Sequence, residues 1–303
     1  MKTTLNFRLL FLIFAICSCS FTEVLAQKES RQRDEYVMIK MIDGTRIIGK
    51  KLATTPESVI VDTELAGKLN IPYEKIDRMR STSRPYLVDG QYWTENRNYT
   101  RNVIGPTGYG LKKGEGYYQN FFLFFHNVSY GFTDNFSLGF GTEMISLINS
   151  IDIGTSFNPG FVINPKFSFP LREDEINVSV SGVAVHVPES SELFDFGALF
   201  GTATFGSKDK NVSIGLGFGV AEGDISSSPG IALSGNLRVS NGFAFTSENW
   251  IFPSFEALLV SFGVRVIGER VNWDFALFGA GDGDFFSLSP IPLVGAVIPF
   301  GGR

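Results

Sequence analysis

An all-β chain of two parts, a small β domain followed by a transmembrane antiparallel barrel, is what three features of the sequence predict. Apolar side chains alternate with small or polar ones through the C-terminal two thirds, the period-2 signature of strands with two unlike faces. Turn signals cut that region into segments, and short turns alternate with longer connections, as in barrels with short turns at one end and long loops at the other. Charge is also unevenly spread. Residues 27–116 hold 28 Lys, Arg, Asp and Glu among 90, whereas residues 117–300 hold 25 among 184, so two differently solvated bodies share one chain.

Of the 303 residues, 44% are hydrophobic and 19% charged, with 30 Phe and a net charge of −5. That charged fraction is below the roughly 25% of ordinary soluble domains, which argues against a disordered, coiled-coil or nucleic-acid-binding protein. Residues 1–26 read as a signal peptide. Lys2 and Arg8 precede an apolar stretch from Leu9 to Cys17, and Val24-Leu25-Ala26 suits cleavage after Ala26. The alternative is lipoprotein processing at Cys19. Under the first reading both cysteines are removed, leaving no disulfide, thiolate metal ligand or cysteine nucleophile. No apolar run of about 18 residues follows Ala26, so no helix suits a membrane span.

After a linker at 27–35, residues 36–80 read as a small β domain. Tyr36–Ile42, the Asp43-Gly44 turn and Thr45–Lys50 make a hairpin, and Ser58–Asp62, Lys68–Ile71 and Ile76–Met79 add three short strands. Five short strands in this length suggest an SH3-like or Sm-like barrel. The pattern from Asp43 to Met79 resembles small barrels of exported bacterial proteins. Arg80 to Arg97 holds Ser-Thr-Ser, Pro85 and scattered charge, so 81–98 reads as linker.

Residues 99–303 read as the barrel. Val212, Ile214, Leu216, Phe218 and Val220 form one face of a strand whose other face is Ser213, Gly215, Gly217 and Gly219. These glycines are spaced strictly by two with no helix after them, which makes them inward wall positions leaving lumen volume for water or a plug, not a nucleotide loop. Strands are expected near 117–131, 135–146, 159–171, 175–187, 195–206, 211–221, 230–240, 243–251, 256–268, 271–279 and 290–300. The first runs into a short turn, so an even, closed barrel with both ends on one side needs another strand before it. Tyr99 to Tyr109 is the candidate, giving twelve. Tyr117, Tyr118, Tyr130, Trp250 and Trp273 near segment ends suit interfacial aromatic girdles.

Leu111–Asn120, Tyr130–Phe136 and Thr246–Pro253 resemble a family of outer-membrane β-barrel proteins from Bacteroidota that carry a small N-terminal β domain. The resemblance spans residues 36–303. It implies location and fold and assigns no activity, so no site residue is carried over.

Inward charge is the main functional clue, because lipid-facing charge is costly. Alternation places Asn236, Arg238, Glu248, Arg265 and Asp274 inward on successive strands, and a two-residue turn at Glu269-Arg270 sets Arg265 opposite Asp274. They read either as an ion-pair network stiffening the lumen or as a polar constriction selecting solutes. Ala280–Asp284 could offer carboxylates to Ca²⁺ but lacks the full loop pattern. His126 and His186, the only histidines, have no evident nucleophile beside them. No catalytic, cofactor or metal site is expected. The expected protein is an outer-membrane pore or transport component with residues 36–80 in the periplasm. The alternative is a structural or binding envelope protein with a packed lumen. Its surroundings would be outer-membrane lipid, the barrel assembly machinery and a periplasmic partner for residues 36–80, with no nucleic acid.

Overall fold

The computed structural model describes residues 35–301 except 83–85, 89–90, 150–157, 189, 191–193, 222–223, 254–256, 269 and 283–285. The signal peptide, Cys19 and all but the last residue of the linker at 27–35 lie outside the described residues. Two compact units meet between Glu95 and Asn96.

The first unit is a five-stranded antiparallel sheet of β1 (Tyr36–Met41), β2 (Arg46–Thr54), β3 (Ser58–Thr63), β4 (Gly67–Pro72) and β5 (Ile76–Thr82), in the order β4-β3-β2-β1-β5. Asp43 and Gly44 turn β1 into β2, with the Thr45 amide donating to Asp43 Oδ1 at 2.8 Å. Alternation selects one face, and Val37, Ile39, Val59, Val61 and Ile71 form its buried core. A short hairpin of β6 (Tyr86–Val88) and β7 (Gln91–Trp93) occupies part of the segment expected to be linker.

The second unit is a closed barrel of twelve antiparallel strands. They are β8 (Glu115–Phe121), β9 (Phe125–Gly131), β10 (Phe136–Glu143), β11 (Phe161–Arg172), β12 (Ile176–His186), β13 (Phe196–Gly206), β14 (Lys210–Ala221), β16 (Gly230–Ser240), β17 (Phe243–Phe252), β18 (Ala257–Val266), β19 (Asn272–Asp282) and β20 (Phe286–Gly301), with a two-residue β15 (Asp224–Ile225) beside β14. Each strand pairs with the next and β20 pairs with β8, so the wall has no free edge. The chain enters this wall at Glu115 and leaves it at Gly301, at what we call the near end; the other end is the far end. Exposure alternates most cleanly on β14, β18 and β19: Leu216 is 52% exposed, Phe262 59% and Leu277 53%, while Ser213, Ser261 and Ala276 on the same strands are buried inside.

The wall departs from the sequence reading in three places. Tyr99 to Tyr109 is not a wall strand but lies inside the lumen, so the barrel proper runs from 115 to 301 rather than from 99. The twelfth strand arises because 117–131 is two strands, β8 and β9, joined at the far end by Phe122–Phe124. That turn contains none of the Gly, Pro, Asn or Asp that signal a reversal. Phe122 and Leu123 take left-handed φ angles of 52° and 66°, held by the Leu123 amide donating to Asn120 Oδ1 at 3.2 Å. It also breaks the strict alternation of short and long connections. Finally, residues 280–282 and 286–290 extend β19 and β20 where a long loop was expected, so Ala280, Gly281 and Asp282 belong to a strand and 283–285 fall outside the described residues. A single helical turn, α1 (Met144–Asn149), follows β10.

Candidate functional site: a plugged lumen

Residues 96–111 carry Asn, Thr, Arg and Tyr among small residues, and they fold back on themselves inside the barrel. The Asn102 amide donates to Gly105 O at 2.9 Å and the Thr107 amide to Thr100 O at 3.1 Å, making a tight hairpin closed by the bridge between Arg101 and Pro106. A two-stranded hairpin leaves most of its backbone groups unpaired, and in a lumen these must be met by the wall. Here they are met by inward polar side chains.

The tip is held by charge. Asp274 accepts Arg265 Nε at 2.6 Å and Arg101 Nη2 at 2.7 Å, while Arg265 also donates to the carbonyls of Asn98 and Asn102 at 3.1 and 2.7 Å. Glu248 accepts the Ile104 and Gly105 amides at 2.8 and 2.9 Å and Trp250 Nε1 at 2.8 Å. Two guanidinium groups thus balance two carboxylates in a water-poor interior, where an unpaired ion costs several kcal/mol. Asn236 Nδ2 donates to Asn102 Oδ1 at 2.9 Å.

Four of the five inward residues read from the sequence therefore converge on the plug, and the Arg265–Asp274 register is the expected one. Arg238 stands apart. It pairs with Asp209 at 3.0 Å and donates to Asn241 O at 2.6 Å, at the near-end turns. The partner missing from the sequence reading is Arg101, together with the plug backbone.

The opposite side of the hairpin is fastened by uncharged groups and one lysine. The Gly108 amide donates to Thr204 Oγ1 at 2.7 Å, Ser179 Oγ donates to Thr107 O at 3.0 Å, and Lys166 Nζ donates to Thr100 O at 2.9 Å and Tyr109 O at 2.6 Å. A Cβ at Gly108 would lie 2.1 Å from Asn177 O, so only glycine permits this approach to the wall. At the near end Arg97 Nη2 donates to the last strand at Phe300 O and Gly301 O, at 2.9 and 2.7 Å.

Alongside the plug, against β8–β12, the lumen holds a cavity of about 540 Å³ whose lining runs from Leu111, Ser129 and Ser137 toward the near end to His186 and Pro188 at the far end. Ile104 and Pro106 of the plug face it, and Val162, Val183, Phe200 and Trp250 supply apolar wall. Phe200 lies over Gly217, where a Cβ would meet its ring at 2.3 Å, and it meets Trp250 edge-on with centroids 5.5 Å apart. Tyr117 and Trp250 thus line the lumen rather than an outer girdle, whereas Tyr130 and Trp273 are exposed on the barrel's outside. Lys166 and Ser181, directly opposite each other on β11 and β12, also face this cavity. The sequence reading missed Lys166, although its two-residue spacing from Asn164 and Ser168 marks it as inward. His126 Nδ1 shares a hydrogen bond with Tyr118 OH at 2.6 Å, and His186 Nε2 donates to Asn158 Oδ1 at 2.6 Å. No cluster of metal-ligating side chains forms among the described residues.

No protein-family model and no curated protein matches the chain. Among solved structures, a mutant porin of Rh. blastica is similar at 10% identity over 88% of this chain and 99% of its own, with a TM-score of 0.34. The outer-membrane expressed OmpT of Vibrio cholerae is similar at 7% identity over 88% and 95%, with a TM-score of 0.28. The outer membrane channel DcaP of Acinetobacter baumannii is similar at 9% identity over 88% and 94%, with a TM-score of 0.27.

Proposed function

We propose that this chain is an outer-membrane barrel that serves as a transport component, its passage held shut by residues 96–111 and its solute received from the far end. The wall supports the membrane setting: an edgeless sheet whose outer face is Phe, Leu, Ile and Val satisfies its backbone internally and offers hydrocarbon to lipid. The short turns at the near end support a periplasmic near end, with residues 36–80 as a periplasmic, SH3-like module open to a partner. Outer-membrane lipid and the barrel assembly machinery complete its surroundings.

The observation that carries the transport reading is the mode of plugging. The hairpin is held by hydrogen bonds to inward side chains and is not part of the wall, so it can leave without breaking a strand pair. A cavity of about 540 Å³ remains beside it. A second reading, a structural or binding envelope protein with a packed lumen, draws on the same balanced ion network, which fixes the hairpin to the wall.

Planar-bilayer conductance and liposome swelling with solutes of graded size separate the two. The transport reading expects little leakage from the native protein and discrete, larger conductance when the plug is loosened by Glu248→Gln or Arg101→Ala. Tight bilayers with every variant would leave the packed-lumen reading standing.

A further inference from the structure

Lys166 is half-buried and faces the lumen, yet no carboxylate partners it among the described residues. Its ammonium has three N–H donors, and the plug carbonyls of Thr100 and Tyr109 take two. A cation drawn out of water is ordinarily paired, since desolvation strips its hydration. Beside it, Ser181 is 6% exposed and its Oγ has no hydrogen-bond partner among the described residues. Gln119, 4% exposed on another stretch of the cavity wall, leaves its Nε2 equally unpartnered. Orphaned polar groups in a cavity need an occupant that satisfies them.

Apolar surface predominates elsewhere in that lining. Val162, Val183, Phe200, Trp250 and the plug's Ile104 present hydrocarbon, interrupted by Arg101, His126, Glu143 and His186, and the volume of about 540 Å³ lies within the roughly 300–1,000 Å³ of small-molecule sites. We infer that this lumen cavity binds one anionic amphiphile, a long-chain carboxylate. Its head receives the third N–H of Lys166 and the Ser181 hydroxyl, and its chain lies along Val183, Phe200 and Trp250 toward the far end. This deepens the transport reading by naming a substrate class, and it rests on that reading only for the word substrate. Because Lys166 also holds the plug, the head would sit against the plug's own backbone.

Trp250 lines the cavity and provides the probe. The full chain, with Trp93→Phe and Trp273→Phe to leave Trp250 as the sole tryptophan, is placed in lipid nanodiscs and titrated with a dibrominated octadecanoate or the matching dibrominated alcohol. The expected result is saturable quenching by the carboxylate. Affinity should fall roughly ten- to a hundredfold in Lys166→Met, the alcohol binding the parent no better than the carboxylate binds that variant. Val183→Trp in the same background with Trp250→Phe, read by competition with unbrominated octadecanoate, keeps Lys166 and should abolish binding by filling the cavity. Barrel integrity is read from the mobility shift of unheated against heated samples. Should Lys166→Met not fold, the alcohol and Val183→Trp comparisons still decide. Equal affinity for acid and alcohol, or quenching unaltered by filling the cavity, overturns the site. Saturable binding with no flux through loosened variants would keep the site and remove transport; flux without carboxylate binding would do the reverse.

Discussion

Replacing Asp274 by Asn would leave Arg101 and Arg265 sharing a neutral amide in a site where Asp274 is 1% exposed. Removing one partner of a buried ion pair costs about 3–5 kcal/mol, because the surviving charge remains desolvated. The Asp274→Asn variant should therefore lose plug order before wall order: higher bilayer conductance, with the gel mobility shift retained but its midpoint temperature lowered. Glu248→Gln is milder, since the amide oxygen can still accept one of the two turn amides. Losing charge-assisted acceptance there costs about 1.5–3 kcal/mol, and the measurable outcome is intermittent opening events rather than a steady conductance. If either variant conducts like the native protein, the ion network stiffens the barrel without holding it shut. These two side chains were legible in the sequence because strand parity alone decides which face a residue takes. Arg101 was not, since its inward position depends on a segment whose own place no periodicity reports.

The hairpin of residues 96–111 is the element that a single sequence disguises best. Tyr99 and Val103 fall at even spacing as wall residues do, and its backbone bonds are completed by side chains scattered over β11, β12, β13, β17 and β18. No local pattern encodes that. Its close fit does give a test. Gly108→Val would drive a Cβ to 2.1 Å from Asn177 O, an overpacking worth roughly 1–3 kcal/mol. It should displace the hairpin and raise conductance while leaving the heat-dependent mobility shift intact. The loops at the two ends should respond to acid in opposite senses. In the far-end connection, hydrogen bonds from Ser190 and the Val187 amide, with help from His186, hold the Asp195 carboxyl below its ordinary value. A depressed folded-state pKa contributes stability above the unfolded value of 3.8 that is lost as pH falls through the folded one. Burial instead pushes Asp209 up at the near-end turn, and Arg238 only partly offsets it. The sign reverses: that contribution is complete below 3.8 and disappears as pH rises through the raised folded value. Spin labels at Val187 and at Lys210 should thus report a far loop that loosens on acidification and a near turn that does not, and equal loosening at both ends would contradict the assignment.

At the scale of the molecule, closure is the constraint that organises the rest. Lipid supplies no hydrogen bonds, so a sheet entering it must have its last strand pair with its first, which β20 and β8 do over Gly295–Gly301 and Glu115–Phe121. Evenness of the strand count follows from both ends of the chain leaving on one side, and that reasoning yields twelve from the sequence even though it assigns the wrong strand. The turn at Phe122–Phe124 hid because an apolar run with two left-handed residues reads as continuous strand, and the mistake about Tyr99–Tyr109 compensated for it. Period and parity are properties of the wall as a whole and survive such a local misreading; what fills the wall does not follow from them. The apolar exterior is accordingly the feature to challenge. Leu216, at the middle of β14 and 52% exposed, faces outward between Gly201 and Ile231 of the adjoining strands. Leu216→Arg would put a guanidinium near the bilayer midplane at a cost of about 2–4 kcal/mol, whereas the inward neighbour Gly215 contributes nothing to lipid contact. Denaturant titration of the protein refolded into phospholipid vesicles should show that loss as a lowered midpoint for Leu216→Arg, with Leu216→Ile close to native. A midpoint that Leu216→Arg leaves unchanged in vesicles would mean that this face meets water or protein, and the membrane setting would fall with it.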